Sequence, residues 1–590
     1  MVGHLGVSES VMGELPLEHL DTDLLILGAG GAGLLAAVHA HEISRKLRIC
    51  VVVKGLLGQS GCTRMVQGGY NAVLNPADSL ERHFTDTVKG GAYLNHQDLA
   101  WTLVEDAPKR IVELENRIGC LFDRNADGTI HQKPFAGQSF DRTVHKGDLT
   151  GIEIMSNLRD YILEEDIRVL QETRGLDLLT SDGRVNGALL LNTRTGRLIA
   201  VRARATLLAS GGGATMYRIS SPSMEKSADG MAMAFRAGAR FVDMEMLQFH
   251  PTGLLVGKSV ATGGLLEEGL RGAGARLFNG LGERYMERYD AEKMERATRD
   301  VISRSSYLEI MAGRGTASGG VYIDVSHLDH GFVAKNFHGM VERCRDYGFD
   351  LVHDRVEVSP SAHFQMGGVA IDTACRTSLE RLFAAGEDAG GVHGANRLGG
   401  NGVADSIVYG ARAGDSMAAF VEGQELLPVS ESQLREMAAQ WTSALDRRDG
   451  ENAFQLRTAL NELMWQKVGV VRNGADLAAA IDDLQALADR AGRIAAPGGP
   501  ESNPAWNAAM DLQNLLVNAA MVAGSAVLRT ESRGAHYRQD FPAPDTAWLK
   551  NIHLIAEGGG MRFEYAPVRF TRLAPPDIGV TTHANDLRRH

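Results

Sequence analysis

The fold of this chain is set by residues 21–55, which have the sequence DTDLLILGAGGAGLLAAVHAHEISRKLRICVVVKG. Residues 23–27 form a short apolar run of the kind that makes a buried parallel strand. A glycine-rich turn follows at residues 28–33, and residues 34–47 have the composition of a helix. Residues 48–55 contain a second apolar run. The segment therefore predicts a strand–turn–helix–strand unit of about 30 residues.

The glycines of this turn have the GxGxxG spacing of a dinucleotide-binding fingerprint. Gly28 permits the tight turn, Gly30 lets the backbone approach a pyrophosphate, and Gly33 lets the helix pack closely on the strand. The N-terminus of the helix, at Gly31, attracts the phosphate charge. We therefore expect these four glycines to contact a dinucleotide, the alternative being a glycine turn without a ligand.

One expected residue of the fingerprint is missing. A carboxylate about 20 positions beyond the turn holds a ribose hydroxyl in NAD sites, but Val53 and Lys54 stand there. This departure disfavours NAD and leaves FAD open, because flavoproteins can hold the ribose in other ways. Two later apolar runs, 205–213 and 381–391, also end in glycines. They predict a nucleotide-binding domain that is interrupted by an insertion.

Composition excludes several functional classes. The chain has 590 residues, enough for roughly three or four domains, and a net charge of −12 without a dense basic run, so nucleic acid is not an expected partner. The five cysteines include no CxxC pair, which argues against a disulfide framework, a metal site or an iron–sulfur cluster held by this chain. The N-terminus lacks signal-peptide features, and no run approaches about 18 apolar residues. We expect an intracellular chain that does not cross a membrane by itself.

A series of motifs follows the glycine turn: CTRMVQGGYNA (62–72), FAGQS (135–139), RTVHKGDLTG (142–151), ASGGG (209–213), SADGMAMAFRAG (227–238), QFHPTG (248–253), LLEEGLRG (265–272), RATRDVISR (296–304), HFQMGG (363–368), GEDAGGVHGANRLGGN (386–401) and ESRGAHYRQDFP (531–542). With these motifs the chain resembles, over nearly its full length, the flavoprotein subunit of the succinate dehydrogenase/fumarate reductase family of complex II type. The wider family includes L-aspartate oxidase. The resemblance implies an α/β fold: a Rossmann-like FAD-binding domain with an inserted α+β capping domain, followed by a helical domain and a small C-terminal domain.

The resemblance and the changes in sequence texture divide the chain into six segments. The predicted boundaries are 1–20 for an N-terminal tail, 21–245 and 362–428 for the two parts of the FAD-binding domain, 246–361 for the capping (substrate) domain, 429–530 for the helical domain and 531–590 for the C-terminal domain.

The resemblance implies a set of FAD-contacting residues. They are Gly28, Gly30, Gly31, Gly33, Lys54, Cys62, Thr63, Gln67, Gly68, Gly69, Asp229, Glu387, Asn401 and Val403. Backbone amides would surround the phosphates, and carboxylates would accept from hydroxyl groups. Without the resemblance, Asp229 favours a helix N-cap, because a helical sequence follows it.

Cys62 departs from the family pattern. Respiratory members have a histidine here, in a Ser-His-Thr sequence, that bonds covalently to the flavin, whereas this chain has Gly61, Cys62 and Thr63. We therefore expect a non-covalent FAD. A covalent bond raises the flavin potential, so its absence bears on succinate oxidation more than on fumarate reduction. The thiol is expected to be a small buried group without chemistry, the alternative being a cysteinyl–flavin link.

The resemblance also implies a dicarboxylate site. His250, His363 and Arg397 match the substrate-binding positions of the family, and a guanidinium matches a carboxylate in shape and charge. Taken singly, each histidine is more typical of a structural core residue. For Arg397 the structural and functional interpretations are balanced.

Arg299 matches the arginine that carries the proton in the family, and Glu268 and Arg271 match its path to solvent. An arginine is an unusual acid because its pKa is normally above about 12. Without the resemblance, Glu268 and Arg271 at i and i+3 would indicate a surface helix pair. The preceding residue, in the family usually a Thr or Ser that binds a substrate carboxylate, is Glu267. We do not assign Glu267 to substrate binding, because its charge would repel a dianion.

Together these residues predict FAD-dependent oxidation of succinate to fumarate, or the reverse, with a hydride passing between substrate and flavin N5 and a proton moving through arginine. Because the chain has neither a haem motif nor cluster-binding cysteines, electrons would pass to a separate iron–sulfur subunit, then to quinone. Membrane-anchor subunits would hold this complex on the cytoplasmic side of a bacterial membrane. The main alternative is L-aspartate oxidase with non-covalent FAD. A non-catalytic flavin-binding scaffold is disfavoured, because the site residues are retained together.

Overall fold

The computed structural model describes residues 16–576, and a seven-stranded mixed sheet lies at its core. The strand Leu17–Leu27 pairs in parallel with Ile49–Val52 on one side and with Leu198–Leu208 on the other. The other strands of this sheet are Arg168–Leu170, Thr173–Ser181, Arg184–Asn192 and Leu382–Ala384. The apolar residues 24–27 at the end of the first strand are buried, as predicted for a strand covered on both faces.

Two glycine-containing helices pack closely behind the glycine turn. The helix Gly31–Ile43 lies against the helix Asn401–Phe420. A Cβ at Gly410 would lie 2.5 Å from the carbonyl oxygen of Ala32, and one at Gly414 would meet the next turn of the same helix. Only glycine permits such an approach. Gly410 faces Ala32 and Gly414 faces Ala36, so the two helices run in the same direction and both N-termini lie on one side of the molecule.

A four-stranded antiparallel sheet forms the inserted cap. Its strands, in spatial order, are Leu247–Leu254, Val356–Gln365, Val321–Asp324 and Arg276–Phe278. Its α-helices are Gly269–Gly272, Met286–Tyr289, Arg299–Glu309, His330–Asn336 and His338–Asp346. These elements share an apolar core that includes Leu277, Ile302 and Val356. The insertion therefore has its own core, separate from those of the central sheet.

The remaining elements surround the central sheet and form the helical and C-terminal parts. Within residues 16–576, the helices that precede the cap, besides Gly31–Ile43, are Leu80–Gly90, Gln97–Asn116, Thr150–Glu164 and Asp229–Arg236. Four helices follow residue 429: Glu431–Asp446, Ala453–Lys467, Gly474–Ala491 and Pro504–Leu528. A five-stranded sheet contains Ala389–Gly390, Gly368–Ala370, Phe241–Val242, Lys550–Glu557 and Gly560–Pro567, and a three-stranded sheet contains Tyr70–Asn71, Thr143–Val144 and Gln132–Lys133. This architecture confirms the predicted fold class.

Several elements cross the predicted segment boundaries. The first strand begins at Leu17, inside the predicted tail 1–20, because residues 17–20 pair with residues 198–201. The cap strand Val356–Gln365 continues past residue 361. Residues 1–15 and 577–590, which hold the rest of the predicted tail and the end of the predicted C-terminal domain, lie outside the described residues.

One helix of the described part of the chain, Pro504–Leu528, is long and apolar enough to cross a membrane by length and composition alone. In its most apolar window, 61% of the residues are buried inside the protein. Its apolar side chains, including Leu512 and Leu515, pack in the core of the helical part. The core helices of globular proteins combine the same length, composition and burial.

Candidate active site

A cavity of about 1890 Å³ extends from the glycine turn at residues 28–33 to the cap. Most of the residues predicted for the site line it: Gly28, Gly30, Gly31, Lys54, Cys62, Thr63, Gln67, Gly68, Gly69, Asp229, His250, Glu268, Arg299, His363, Glu387, Arg397 and Val403. Gly33, Arg271 and Asn401 lie behind its walls. The fold thus brings together residues that are more than 350 positions apart in the chain.

The glycine turn brings backbone amides to the cavity. Gly28 has a φ of +119°, and a Cβ there would lie 2.0 Å from the carbonyl oxygen of Ala209. A Cβ at Gly33 would lie 1.9 Å from the carbonyl oxygen of Gly28, so Gly33 allows the helix to pack on the strand. The helix that begins at Gly31 has Gly30 as its N-cap, which offers no capping side chain. The Gly31 N–H donates to Thr63 Oγ1 at 3.1 Å, so a phosphate in the cavity would accept from the helical N–H groups that follow it.

Asp229 lies in a buried network of polar and charged groups on the cavity wall. Its carboxylate accepts from Lys54 Nζ at 3.0 Å, Arg174 Nη2 at 2.8 Å and Asn514 Nδ2 at 2.7 Å. Burial alone would raise the pKa of Asp229, but Arg174 and Lys54 hold it well below its ordinary value. The helix that starts at Asp229 has Ala228 as its N-cap, so the interpretation of Asp229 as a helix N-cap is wrong.

The N-terminus of a second helix, Asn401–Phe420, also meets the cavity. Gly400 precedes it with a φ of +83°, and Val403 lines the cavity. The Asn401 side chain points away: its Oδ1 accepts from Asn71 Nδ2 at 2.7 Å, and its Nδ2 donates to Thr87 Oγ1 at 3.1 Å. Asn401 therefore holds the loop in place from behind the cavity wall, and its backbone N–H donates to the carbonyl of Leu398 at 3.2 Å.

The segment 62–69 forms another wall of the cavity. A Cβ at Gly68 would lie 2.4 Å from the ring of Phe135, and Gly69 has a φ of +138°. The Phe135 ring therefore occupies the place where a side chain at Gly68 would lie, and it lines the cavity together with the backbone of Gly68 and Gly69. Cys62 is half-buried, and burial raises the pKa of its thiol although the charge of Lys226 opposes this effect. The thiol is consequently protonated at neutral pH, which makes it a poor nucleophile.

Three charged side chains connect the cavity with the interior of the cap. Arg299 donates to Glu268 Oε2 through Nε at 2.9 Å and through Nη2 at 2.5 Å. Arg271 Nη2 donates to Glu268 Oε1 at 3.1 Å. Burial opposes ionisation of Glu268, but the two guanidinium groups hold its pKa below the ordinary value. All three side chains are buried, so the interpretation of Glu268 and Arg271 as a surface pair is wrong.

Arg397 lies beside Arg299 and is held by uncharged groups. Gln248 Oε1 accepts from Arg397 Nη2 and from Arg299 Nη1, each at 3.1 Å. The Arg397 guanidinium also stacks on the ring of Phe364, 4.3 Å from its centroid. Burial, with the charge of Arg299, lowers the pKa of Arg397 to about 9. Within residues 16–576 no carboxylate forms an ion pair with Arg397, so its charge is available to an anionic ligand.

The two predicted histidines face each other across the cap end of the cavity. The rings of His250 and His363 lie 5.4 Å apart, edge to face. His250 Nδ1 accepts from the backbone N–H of Thr252 at 3.3 Å, which leaves Nε2 as the donor. His363 Nδ1 lies 2.8 Å from Ser221 Oγ. Burial and the neighbouring cations lower the pKa of both histidines well below the ordinary value, so each acts as a neutral hydrogen-bonding group.

Glu267 also lines the cavity, but its charge is compensated. Its carboxylate forms an ion pair with Lys133, and burial raises its pKa while Lys133 opposes that rise. Six charged side chains are paired or lie side by side at this end of the cavity, Arg271, Arg299, Arg397, Lys133, Glu267 and Glu268, and Asp148 and Arg343, which also line the cavity, have opposite charges. Four cations and two carboxylates leave two positive charges in excess, which matches a dicarboxylate dianion.

Sequence reasoning missed several residues of this site. Gln248 had a signal, because it stands two residues before His250 on the same strand and therefore on the same face. Arg174 and Asp511 complete the network around Asp229, where Asp511 accepts from Lys54 Nζ at 2.6 Å. No local pattern marks these two residues, because they come from a distant strand and a distant helix.

Comparisons with known proteins agree with this geometry. A family model described as an FAD binding domain matches residues 23–403, and one described as fumarate reductase flavoprotein C-term matches residues 457–580. The chain is 44% identical to an uncharacterized FAD-dependent oxidoreductase of Methanocaldococcus jannaschii, over 92% of this chain and 98% of the relative. It is 43% identical to one of the subunits of the fumarate reductase (CoM/CoB) of Methanothermobacter marburgensis, over 91% of this chain and 97% of the relative.

The overall structure is similar to that of FrdA from the E. coli quinol fumarate reductase. The TM-score is 0.90, with 32% sequence identity over 95% of this chain and 98% of that chain. The similarity therefore includes the cap, the helical part and the C-terminal part as well as the dinucleotide-binding sheet.

Proposed function

The chain belongs to the flavoprotein-subunit family of fumarate reductases and succinate dehydrogenases, and from this membership we propose that its cavity holds FAD without a covalent bond and interconverts fumarate and succinate at the cap end. The observation that carries the proposal is the buried Arg299–Glu268 pair beside the uncompensated guanidinium of Arg397, on the wall of a cavity that begins at a dinucleotide turn. The comparisons give no support to the L-aspartate oxidase alternative.

The residues of the cavity fit FAD. Helical N–H groups at two helix N-termini are placed to bind phosphates, the backbone of Gly68 and Gly69 with the Phe135 ring forms a wall for a flat ring, and Asp229 and Glu387 are placed to accept from hydroxyl groups. Bound FAD supplies the two-electron chemistry by exchanging a hydride with a substrate carbon. The protonated Cys62 thiol supports non-covalent binding, and acid precipitation of the holoprotein should release the flavin into the supernatant.

Substrate binding is assigned to Arg397, His250 and His363. The guanidinium of Arg397 pairs with one carboxylate, His250 donates a hydrogen bond from Nε2, and the neutral ring of His363 contacts the substrate. Two positive charges in excess neutralise a dianion in a buried site, where an unpaired charge would be costly. The same groups draw electron density from the fumarate double bond toward the carboxylates, which favours hydride addition.

Proton transfer is assigned to Arg299. In the fumarate-reducing direction, one alkene carbon receives the hydride and the adjacent carbon receives a proton from Arg299, which completes succinate. Glu268, 2.5 Å from Arg299 Nη2, then relays to Arg299 a proton that it takes up from Arg271, and Arg271 regains a proton from bulk water at the outer end of this path. The cap, proposed to span residues 246–361, shields this exchange from bulk water.

Electron transfer requires a partner for this chain. We assign that role to an iron–sulfur subunit, in a complex that membrane-anchor subunits hold on the cytoplasmic face of a bacterial membrane. The names of the relatives support two electron donors, a quinol in the E. coli reductase and CoM/CoB in the M. marburgensis reductase. The test is to add menaquinol or a thiol to the co-purified complex and to follow reduction of the bound FAD. Reduction by menaquinol would favour a quinol as the electron donor, and reduction by the thiol would favour a CoM/CoB donor.

Substitution of Arg299 tests the assignment of the proton donor. Arg299→Gln should lower the rate at which fumarate reoxidises the reduced flavin by at least about 10³-fold, while the FAD stays bound. Arg296→Gln, at an exposed position three residues earlier, is the matched control and should react as the parent does. Near-normal reoxidation in Arg299→Gln would remove Arg299 from this role.

A further inference from the structure

Lys226 is a buried cation on the wall of the cavity for which the proposed reaction has no use. It is 7% exposed, lines the cavity, and forms an ion pair with Glu387, which lines the cavity as well. Fully buried lysines are rare and costly unless they are paired. A charge is therefore maintained at this place against the cost of burial.

The position of Lys226 is fixed by the segment that carries it. Glu225 accepts from Lys54 Nζ through its carbonyl at 2.9 Å and from the backbone N–H of Gly61 through Oε2 at 3.3 Å. A Cβ added at Gly211 would lie 3.0 Å from Lys226 Cε. The ammonium group is thus confined between the Cys62 segment, the glycine turn after the strand Leu198–Leu208, and Glu387.

Lys226 carries its charge at neutral pH. Burial would lower its pKa, but the adjacent carboxylate of Glu387 opposes that effect, and the pKa lies above its ordinary value. Its charge in turn opposes the rise that burial causes in the pKa of the Cys62 thiol. Lys226 and Glu387 therefore form a charged pair in the part of the cavity assigned to the flavin, beside the uncharged thiol of Cys62.

A fixed cation in this cavity has a defined effect on redox chemistry. Reduction adds negative charge to a flavin, and a positive charge in a low-dielectric wall stabilises the reduced form. We infer that Lys226 is a cofactor-contacting residue that raises the reduction potential of the bound FAD and strengthens its binding, with Glu387 moderating the effect. This inference rests on the proposed function, since it takes the ligand of the cavity to be FAD.

The test is a measurement of midpoint potential and FAD dissociation constant on the FAD-loaded protein. Lys226→Met should move the potential to a more negative value by at least about 30 mV, a tenfold change in the two-electron equilibrium, and weaken FAD binding about tenfold. Glu387→Gln should move the potential in the opposite direction, because the Lys226 charge is then uncompensated. Lys226→Arg should restore most of the potential.

The control is Lys258→Met, which removes a lysine from the exposed rim of the same cavity and should leave the potential unchanged. Equal potentials in the parent, Lys226→Met and Glu387→Gln would overturn the inference. If Lys226→Met does not fold, the comparison of Glu387→Gln with the parent still decides it. Failure of the parent to react with fumarate would overturn the proposed function, while the potential shifts would remain measurable.

Discussion

The negative charge of Glu267 is compensated by a neighbouring cation, so its expected repulsion of the substrate does not arise. A carboxylate there was expected to repel a dianion, yet Lys133 pairs with it and also stacks near Phe135, 5.8 Å from the ring centroid. The pair is buried on the glutamate side, with Glu267 only 4% exposed. The Lys133–Glu267 pair therefore keeps the net charge of the site positive.

Removing one partner of the Lys133–Glu267 pair should lower the free energy of unfolding more than expected from the loss caused by removing both. Glu267→Gln and Lys133→Met should each lower the free energy of unfolding by about 2–3 kcal/mol, because each leaves a largely buried charge without its partner. The double variant should lose less than the sum by about 1–3 kcal/mol. Urea denaturation of the four proteins measures this coupling, with the exposed Glu292→Gln as a control expected within about 0.5 kcal/mol of the parent. Additive losses would mean that the pair does not act as a unit.

The residues that were predictable are those inside short motifs. His250, Glu268, Arg299 and Arg397 stand in segments whose pattern carries the resemblance, and the structure brings all four to one end of the cavity. Lys226 was not predictable, since a lysine in the sequence SMEKS has no local signal of burial. Its environment comes from Glu387, 161 positions away.

At the scale of elements, the glycine turn depends on two backbone contacts. Gly28 and Gly33 let the strand Leu17–Leu27 and the helix Gly31–Ile43 approach each other and Ala209 more closely than any Cβ permits. Periodicity and composition predicted the strand, turn and helix correctly. The strand begins earlier than predicted, because its first residues are polar or partly exposed and gain their order only from pairing with a distant strand.

Gly33→Ala should disrupt both the fold and the cofactor site. The added methyl group would lie 1.9 Å from the carbonyl oxygen of Gly28, so we expect a loss of about 3 kcal/mol or more in the free energy of unfolding and no retention of FAD on purification. Gly499→Ala is the matched control, because a Cβ there meets nothing within 4 Å, and this substitution should be neutral or stabilising by about 0.4–1 kcal/mol. Retention of stoichiometric FAD by Gly33→Ala would contradict the packing argument.

The helix Asn401–Phe420 carries a buried carboxylate near its N-terminus. Asp405 is 3% exposed, and burial raises its pKa to about 8, against the opposing charge of Arg397. The folded protein therefore holds this proton up to about pH 8, whereas the unfolded chain releases it near pH 4. The contribution of Asp405 to stability is thus greatest below pH 4 and declines as the pH rises toward 8.

Asp405→Asn should remove this decline. Between pH 5.5 and 7.5, the free energy of unfolding of the FAD-free parent should fall relative to that of Asp405→Asn by up to about 1.4 kcal/mol for each pH unit. Urea denaturation at several pH values measures the difference. Glu422→Gln, at an exposed position beyond the same helix, should follow the parent. Parallel pH profiles for the parent and Asp405→Asn would show that Asp405 ionises normally.

At the scale of the whole molecule, the order of the motifs predicted the fold class, while the segment boundaries stay predictions, two of which are crossed by a strand. The strand Lys550–Glu557 pairs with Phe241–Val242, and Asn514 of the long helix Pro504–Leu528 bonds to Asp229. These contacts join the helical and C-terminal parts to the cofactor site. Changes in sequence texture locate helices, but they carry no information about which distant strand completes a sheet.

The measurement that tests the central claim most directly is anaerobic flavin oxidation in the FAD-loaded chain. After chemical reduction, fumarate should restore the oxidised flavin spectrum and form one succinate for each flavin, and malonate should slow the reaction by competing for Arg397 and the two histidines. Oxidised protein should not be bleached by L-aspartate. Bleaching by L-aspartate, together with no reoxidation by fumarate, would contradict the assignment of a fumarate and succinate site.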